Sequence, residues 1–229
     1  MISKLPSWVW IGASILACIA GVINAVGFLG FQQQGITHLT GTSTMLGIAI
    51  ARTEMQQMIH LTAVILFFVA GAFLSGFMIR DSTLQLGRRY GMALLIESVL
   101  LLAAVPLLQQ QRLLGDYMAS AAMGLQNAMV STYSGAVVRT THVSGVFTDI
   151  GIFLGHLMRG LPVDWRKFRL WVVLAASFAG GGVIGAILFA HFSYTTLYIP
   201  AVMTGVVGMA YGIYQHWKRY GRLFFFGPF

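Results

Sequence analysis

Eight apolar stretches divide the chain, separated by short polar breaks. Six are long, running about Trp8–Phe31, Met58–Ile79, Tyr90–Leu108, Leu113–Tyr133, Leu170–Phe192 and Leu197–Trp217. Each reaches or nearly reaches the roughly 20 residues that a helix needs to cross hydrocarbon. Two others, about Ile36–Ala51 and Val143–Met158, are shorter and more polar. As helices they would extend about 24 Å, against roughly 30 Å of hydrocarbon. They are thin spans, or helices that enter and leave on one side. Backbone that is not helical at such depth must be buried in protein or line a wet cavity.

The chain also repeats itself. Gly21-Val22-Ile23-Asn24-Ala25 matches Gly124-Leu125-Gln126-Asn127-Ala128 at an offset of 103. Thr37-His38-Leu39-Thr40-Gly41 matches Thr141-His142-Val143-Ser144-Gly145 at 104, with Thr44 and Gly47 matching Thr148 and Gly151 in the same register. Ala70-Gly71 with Gly76 matches Ala179-Gly180 with Gly185 at 109. Three blocks in one order, with slowly growing offsets, define two homologous halves near 1–108 and 109–229. The last helix of each half shows no convincing match.

Composition makes the surroundings apolar. Hydrophobic residues make up 57% of 229 and charged residues only 9%, and the mean hydropathy is +0.78. A soluble domain usually carries about a quarter charged residues. This excludes a soluble enzyme. The net charge of +8 comes without basic runs interleaved with aromatics, which excludes a nucleic-acid-binding module. Cys18 is the only cysteine, so there is no disulfide framework. It sits in Ile15-Leu16-Ala17-Cys18, loosely like a lipoprotein signal box, but a basic leader and a soluble domain behind it are lacking. We read it as a small buried apolar residue.

Charge bears on topology. If the two short segments do not cross and the N-terminus is cytoplasmic, Lys4, Arg80, Arg88, Arg89, Arg139, Arg159, Arg166, Lys167, Arg169, Lys218, Arg219 and Arg222 are inside. Only Arg52 and Arg112 are outside, twelve against two, whereas eight spans would give ten against four. The positive-inside rule prefers the first arrangement. Three full spans per half is an odd number, so the second half would be inverted. That plan recurs among transporters and channels with a solute site at the repeat interface.

The paired Thr-His-x-Thr/Ser-Gly elements are the most informative chemistry. Thr40 and Ser144 are expected to cap helix starts through their hydroxyls, and Gly41 and Gly145 to allow close approach. A buried helix N-terminus suits an anion or a polar solute. His38 and His142 hold equivalent positions for hydrogen bonding or proton relay. No carboxylate or cysteine lies at ligand spacing, so no metal and no cofactor are expected. Asn24 and Asn127 sit inside apolar helices, where an amide bonds to another helix or to a solute. Gln126 adds a polar group at another azimuth. Glu97 and Asp149 are the acidic residues most plainly within apolar stretches, and such groups face a bundle interior or cavity. Their structural alternative is a bond to Arg139 or a histidine. Asp116 and Arg112 lie near a helix end, where the interface would solvate them. His60, His156 and His191 carry no functional expectation. The glycines around Ala179–Gly185 and Ala70–Gly76 are packing residues.

With Asn24-Ala25-Val26-Gly27-Phe28-Leu29 and His38-Leu39-Thr40-Gly41 in the first half, the chain resembles the YoaK-like family. In the second half the matching residues are Gly124–Ala128, Val138-Arg139-Thr140-Thr141, Val143-Ser144-Gly145 and Thr148-Asp149. The resemblance covers nearly the whole chain. It implies a small bacterial multi-pass membrane protein and carries no activity with it. The family pattern has Asp where Asn24 stands, Asn at Thr42 and often Tyr at His142, so no mechanism needing a carboxylate in the first half follows from it.

The expected fold is an all-α polytopic membrane protein with six full transmembrane helices and two short, re-entrant ones, forming one domain of two inverted halves. The expected function is passage of a small polar or ionic solute across the bacterial cytoplasmic membrane, with both termini inside. The site would be drawn from Asn24, His38, Thr40, Gly41, Glu97, Gln126, Asn127, Arg139, Thr141, His142, Ser144, Gly145 and Asp149. The alternatives are a membrane-embedded enzyme using a histidine with Asp149, and a structural or assembly protein. The first lacks a nucleophile elbow or metal cluster. Beyond lipid and solute, the partner expected from small-residue helix faces is a second copy.

Overall fold

The computed structural model describes residues 7–79, 88–134 and 139–224, which are all-helical with no strand. In chain order they form α1 (Ser7–Leu29), α2 (Thr40–Ala51), α3 (Met55–Met78), α4 (Arg88–Gln109), α5 (Leu113–Ser134), α6 (Val143–Met158), α7 (Trp165–Phe192), a 3-10 turn (Ser193–Leu197) and α8 (Tyr198–Phe224). The positions of Lys4 and Arg80, used above to judge topology, lie outside the described residues.

Four stretches are long and apolar enough to cross a membrane: Val9–Leu29, Met55–Met78, Arg89–Gln109 and Trp165–Tyr214. The last holds 50 residues and includes α7, the 3-10 turn and most of α8. α5 has 22 residues, about 33 Å of helix. It is more polar, and most of its length is covered by neighbouring helices. The outer faces carry Leu66, Phe73, Phe77, Val99, Ile187 and Ile213, all exposed, as lipid contact requires.

Two helix pairs cross at the same four kinds of atom. In one, Gly21 of α1 lies against the Phe178 carbonyl of α7, and Gly181 of α7 against the Cys18 carbonyl. In the other, Gly124 of α5 lies against the Phe68 carbonyl of α3, and Gly71 of α3 against the Ala121 carbonyl. A Cβ at any of the four would push backbone from backbone. The two crossings interchange if α1 is moved by 103 and α3 by 110 residues. The third repeat block is therefore corrected by one residue: Gly181, not Gly180, is the counterpart of Gly71. A Cβ on Gly180 meets nothing within 4 Å, and sequence identity alone could not tell adjacent glycines apart.

The last helices also correspond, although their sequences do not. Gly91 of α4 faces Gly208 of α8, and the Ser98 hydroxyl donates to the Ala201 carbonyl at 2.6 Å. A shift of 110 turns one contact into the other. Small size is what the two crossings share, and Ser, Ala and Gly satisfy it equally.

Contacts at the ends set the helix directions. Arg166, at the start of α7, lies 5.8 Å from the ring of Trp10 near the start of α1. Beyond their other ends, the Phe31 N–H donates to the Tyr194 hydroxyl at 2.7 Å, so α1 and α7 run in the same sense. His60 near the start of α3 meets Tyr117 near the start of α5, so these two are parallel as well. α1 and α5 run in opposite senses. Ala13 and Ala17 share a core cluster with Met129 and Tyr133, whereas Ile19 and Ile23 share the other with Ala119 and Met123.

Between α1, α4, α5 and α8 lies an apolar groove of about 280 Å³, lined by Gly12, Leu16, Leu94, Val130, Val207 and Tyr211 among others.

Candidate functional site

The chain reverses immediately after α1. Gln33 takes a left-handed φ of 49°, and the following residues run back alongside the helix they have just left. A Cβ on Gly27 would sit 2.6 Å from the Gln34 carbonyl and 2.7 Å from Ile36, so glycine is what admits this segment. The Thr37 N–H then reaches the Asn24 Oδ1 at 3.5 Å, a long bond. Asn24 is five residues short of the end of α1, about 8 Å below it. α2 begins at that depth and returns, its 12 residues spanning about 18 Å. It is shorter than its apolar stretch because residues 36–39 are the returning segment.

The second half places its short helix in a matching way from the other end. α6 starts beside Thr141, whose hydroxyl donates to Asn127 Oδ1 at 2.6 Å. It ends next to the start of α7, where Phe153 stacks on Phe168 and meets Trp165 edge-on. Asn127 Nδ2 in turn donates to the Thr37 carbonyl at 3.2 Å. One side chain therefore binds both repeated motifs, and both short helices begin within three residues of its partners. The Asn24 amide nitrogen has no hydrogen bond among the described residues. Nor have the hydroxyls of Thr37 and Thr140, which are 0% and 2% exposed.

The other expected site residues divide. His38 is half-buried, packed near Gly35, Asn24 and Phe28, and so touches the cluster. The His142 ring lies over Gly145 on the first turn of α6. Thr40, Gly41, Ser144, His142 and Arg139 are exposed. The capping expectation is corrected. The N-caps are Leu39 and His142, neither with a side-chain cap bond. Thr40 and Ser144 are already helical, and their carbonyls accept from Thr44 and Thr148 one turn on.

Gln126 faces elsewhere, donating to the Leu16 carbonyl of α1 at 3.0 Å. Asp149 is half-buried on α6. Glu97 is fully buried on α4, and neither carboxylate oxygen has a partner among the described residues, so the expected bond to Arg139 or a histidine is absent there. Asp116 is corrected too. It is 5% exposed rather than solvated, next to Gly115, which packs on Leu108 of α4.

Sequence reasoning passed over one polar group. His60 Nε2 accepts from the Gln34 amide nitrogen at 2.8 Å, and Nδ1 meets the Tyr117 hydroxyl at 3.3 Å. This amide orientation puts the imidazole proton on Nδ1. The three residues come from separate segments with no repeat partner to mark them, so no signal linked them in the sequence. Among the described residues, no group of three His, Cys, Asp or Glu side chains is placed to hold a metal.

Long apolar helices around an internal amide–threonine cluster define a membrane-type helical protein rather than a soluble fold. The family model for a protein of unknown function, DUF1275, matches residues 12–210, and the chain belongs to that family, in keeping with the YoaK-like resemblance. No curated protein and no solved structure matches.

Proposed function

We propose that this chain passes a small polar or ionic solute across a membrane, through a site where its two halves meet. The convergence of both repeated motifs on Asn127 carries the reading. Two homologous segments that leave opposite ends of a bundle and meet inside it form a path element that packing alone does not need. In this reading α1, α3, α4, α5, α7 and α8 span, α2 and α6 are re-entrant, and the halves are inverted repeats. The opposite senses of α1 and α5, and the 18 Å length of α2, support that arrangement. Both termini are cytoplasmic, in the inner membrane of a bacterium, and the chain catalyses no reaction. Small exposed residues on α2 and α6, such as Gly47 and Gly151, leave room for a second copy.

Two measurements test this. In a Cys18→Ala background, single cysteines at both ends of α2 and of α6 are labelled with a membrane-impermeant thiol reagent from each side. Labelling of both α2 ends from one face, and both α6 ends from the other, is expected; labelling of one helix from opposite faces would sink the arrangement. In liposomes, purified protein is expected to raise solute flux, and Asn127→Leu to lower it at least tenfold. Flux no higher than in protein-free vesicles, from folded protein, would remove the function.

A further inference from the structure

The hydrogen-bonding groups at the centre are not evenly balanced. The amide and carbonyl acceptors are engaged: Asn24 Oδ1 takes the Thr37 N–H, Asn127 Oδ1 takes the Thr141 hydroxyl, and the Thr37 carbonyl takes Asn127 Nδ2. The groups left over are one amide NH2, which only donates, and two hydroxyls, which donate and accept. Asn24 Nδ2 is unbonded, and the hydroxyls of Thr37 and Thr140 are buried without a partner.

Two helix starts add to this. α2, with 12 residues, and α6, with 16, begin within three residues of Thr37 and Thr141 and lack a side-chain cap. Their first-turn N–H groups therefore have no internal acceptor, and each helix start carries roughly half a positive charge. Arg139 stands two residues before Thr141, exposed. The acid nearest in sequence is Asp149, seven residues into α6 and about 10 Å along it from His142. A bare cation would find hydroxyl lone pairs and the His38 imidazole beside Asn24, but no carboxylate among these residues. An acceptor-rich solute would find donors on several sides.

We infer that the solute is a small anion, an inference that rests on this cluster being a solute site. Asn24 Nδ2 and the Thr37 and Thr140 hydroxyls donate to it, and the α2 and α6 starts supply the favourable charge. No proton or electron transfer is involved.

The test uses the full chain in liposomes, with iodide and nitrate as anion probes, rubidium as the cation and glycerol as the neutral solute. Iodide or nitrate flux is expected, with little rubidium flux. Asn24→Asp, which keeps the side-chain shape and sets a carboxylate among the donors, is expected to cut anion flux at least tenfold. Thr37→Val and Thr140→Val are each expected to cut it about threefold to tenfold, and they keep the reading testable should Asn24→Asp fail to fold. Anion flux indifferent to all three changes overturns the inference. Glycerol or rubidium flux that depends on Asn24, with no anion flux, overturns it while leaving solute passage intact. No flux of any probe, from protein unfolding at its usual temperature, removes both.

Discussion

Gly12 in α1 and Gly115 in α5 stand 103 residues apart at equivalent places in the repeat, and their surroundings differ. A Cβ on Gly115 would lie 2.6 Å from Leu108 Cγ and 2.9 Å from its backbone nitrogen, whereas one on Gly12 meets nothing within 4 Å among the described residues. α5 is closed against α4, while the corresponding side of α1, toward α8, opens into the apolar groove. The glycine crossings behave otherwise, being alike in both halves down to which carbonyl each glycine covers. Backbone-to-backbone contact leaves one geometry, and a repeat reproduces it. Contact through side chains has several solutions, and the two halves have taken different ones.

The crossings should be hardest to disturb. Gly71→Ala and Gly181→Ala each force backbone apart, at the upper end of the overpacking range, about 3 kcal/mol. Thermal unfolding in detergent should show nearly equal losses for the two, with Gly76→Ala, whose Cβ meets nothing within 4 Å, close to neutral. Unequal losses would mean the crossings are not equivalent.

The junctions should separate. Gly115→Ala presses on Leu108, which can yield in part, and should cost about 1–2 kcal/mol. Gly12→Ala meets no described neighbour and should be neutral, or stabilising by up to about 1 kcal/mol through helix propensity. Equal costs would show the groove closed in the folded protein.

The asparagines come last. Asn127→Ala removes two bonds to the segments that precede α2 and α6 and should cost about 1–2 kcal/mol, while Asn24→Ala removes one long bond and should cost about 0.5 kcal/mol. Solute flux should invert that order of interest: Asn24→Ala acts on passage with little effect on unfolding temperature. An Asn24→Ala protein as destabilised as Asn127→Ala would make both residues braces.

Much of the site was legible because the repeat marked it. Asn24 with Asn127, and Thr37 with Thr141, stood out as matched pairs, and they are the residues the fold joins. Thr40 and Ser144 were matched as well, yet they point away from the cluster, because each helix begins one or two residues earlier than a capping pattern implies. Unmatched residues were the harder case. His60, Gln34 and Tyr117 meet only because α3 and α5 start at the same end. Asp116 looked like a residue at a wet helix end, yet it is buried beside the contact of Gly115 with Leu108.

By itself the sequence determined the apolar helices, their number, the two halves and the polar residues those halves share. These depend on local composition and on resemblance within the chain, which are read along it. Only the tertiary structure decided which glycine meets which carbonyl, how α4 corresponds to α8, that the segment after α1 returns along it, and that one half closes where the other stays open. Those outcomes depend on a few tenths of an ångström between helices distant in sequence. No pattern of apolar and polar positions encodes that spacing.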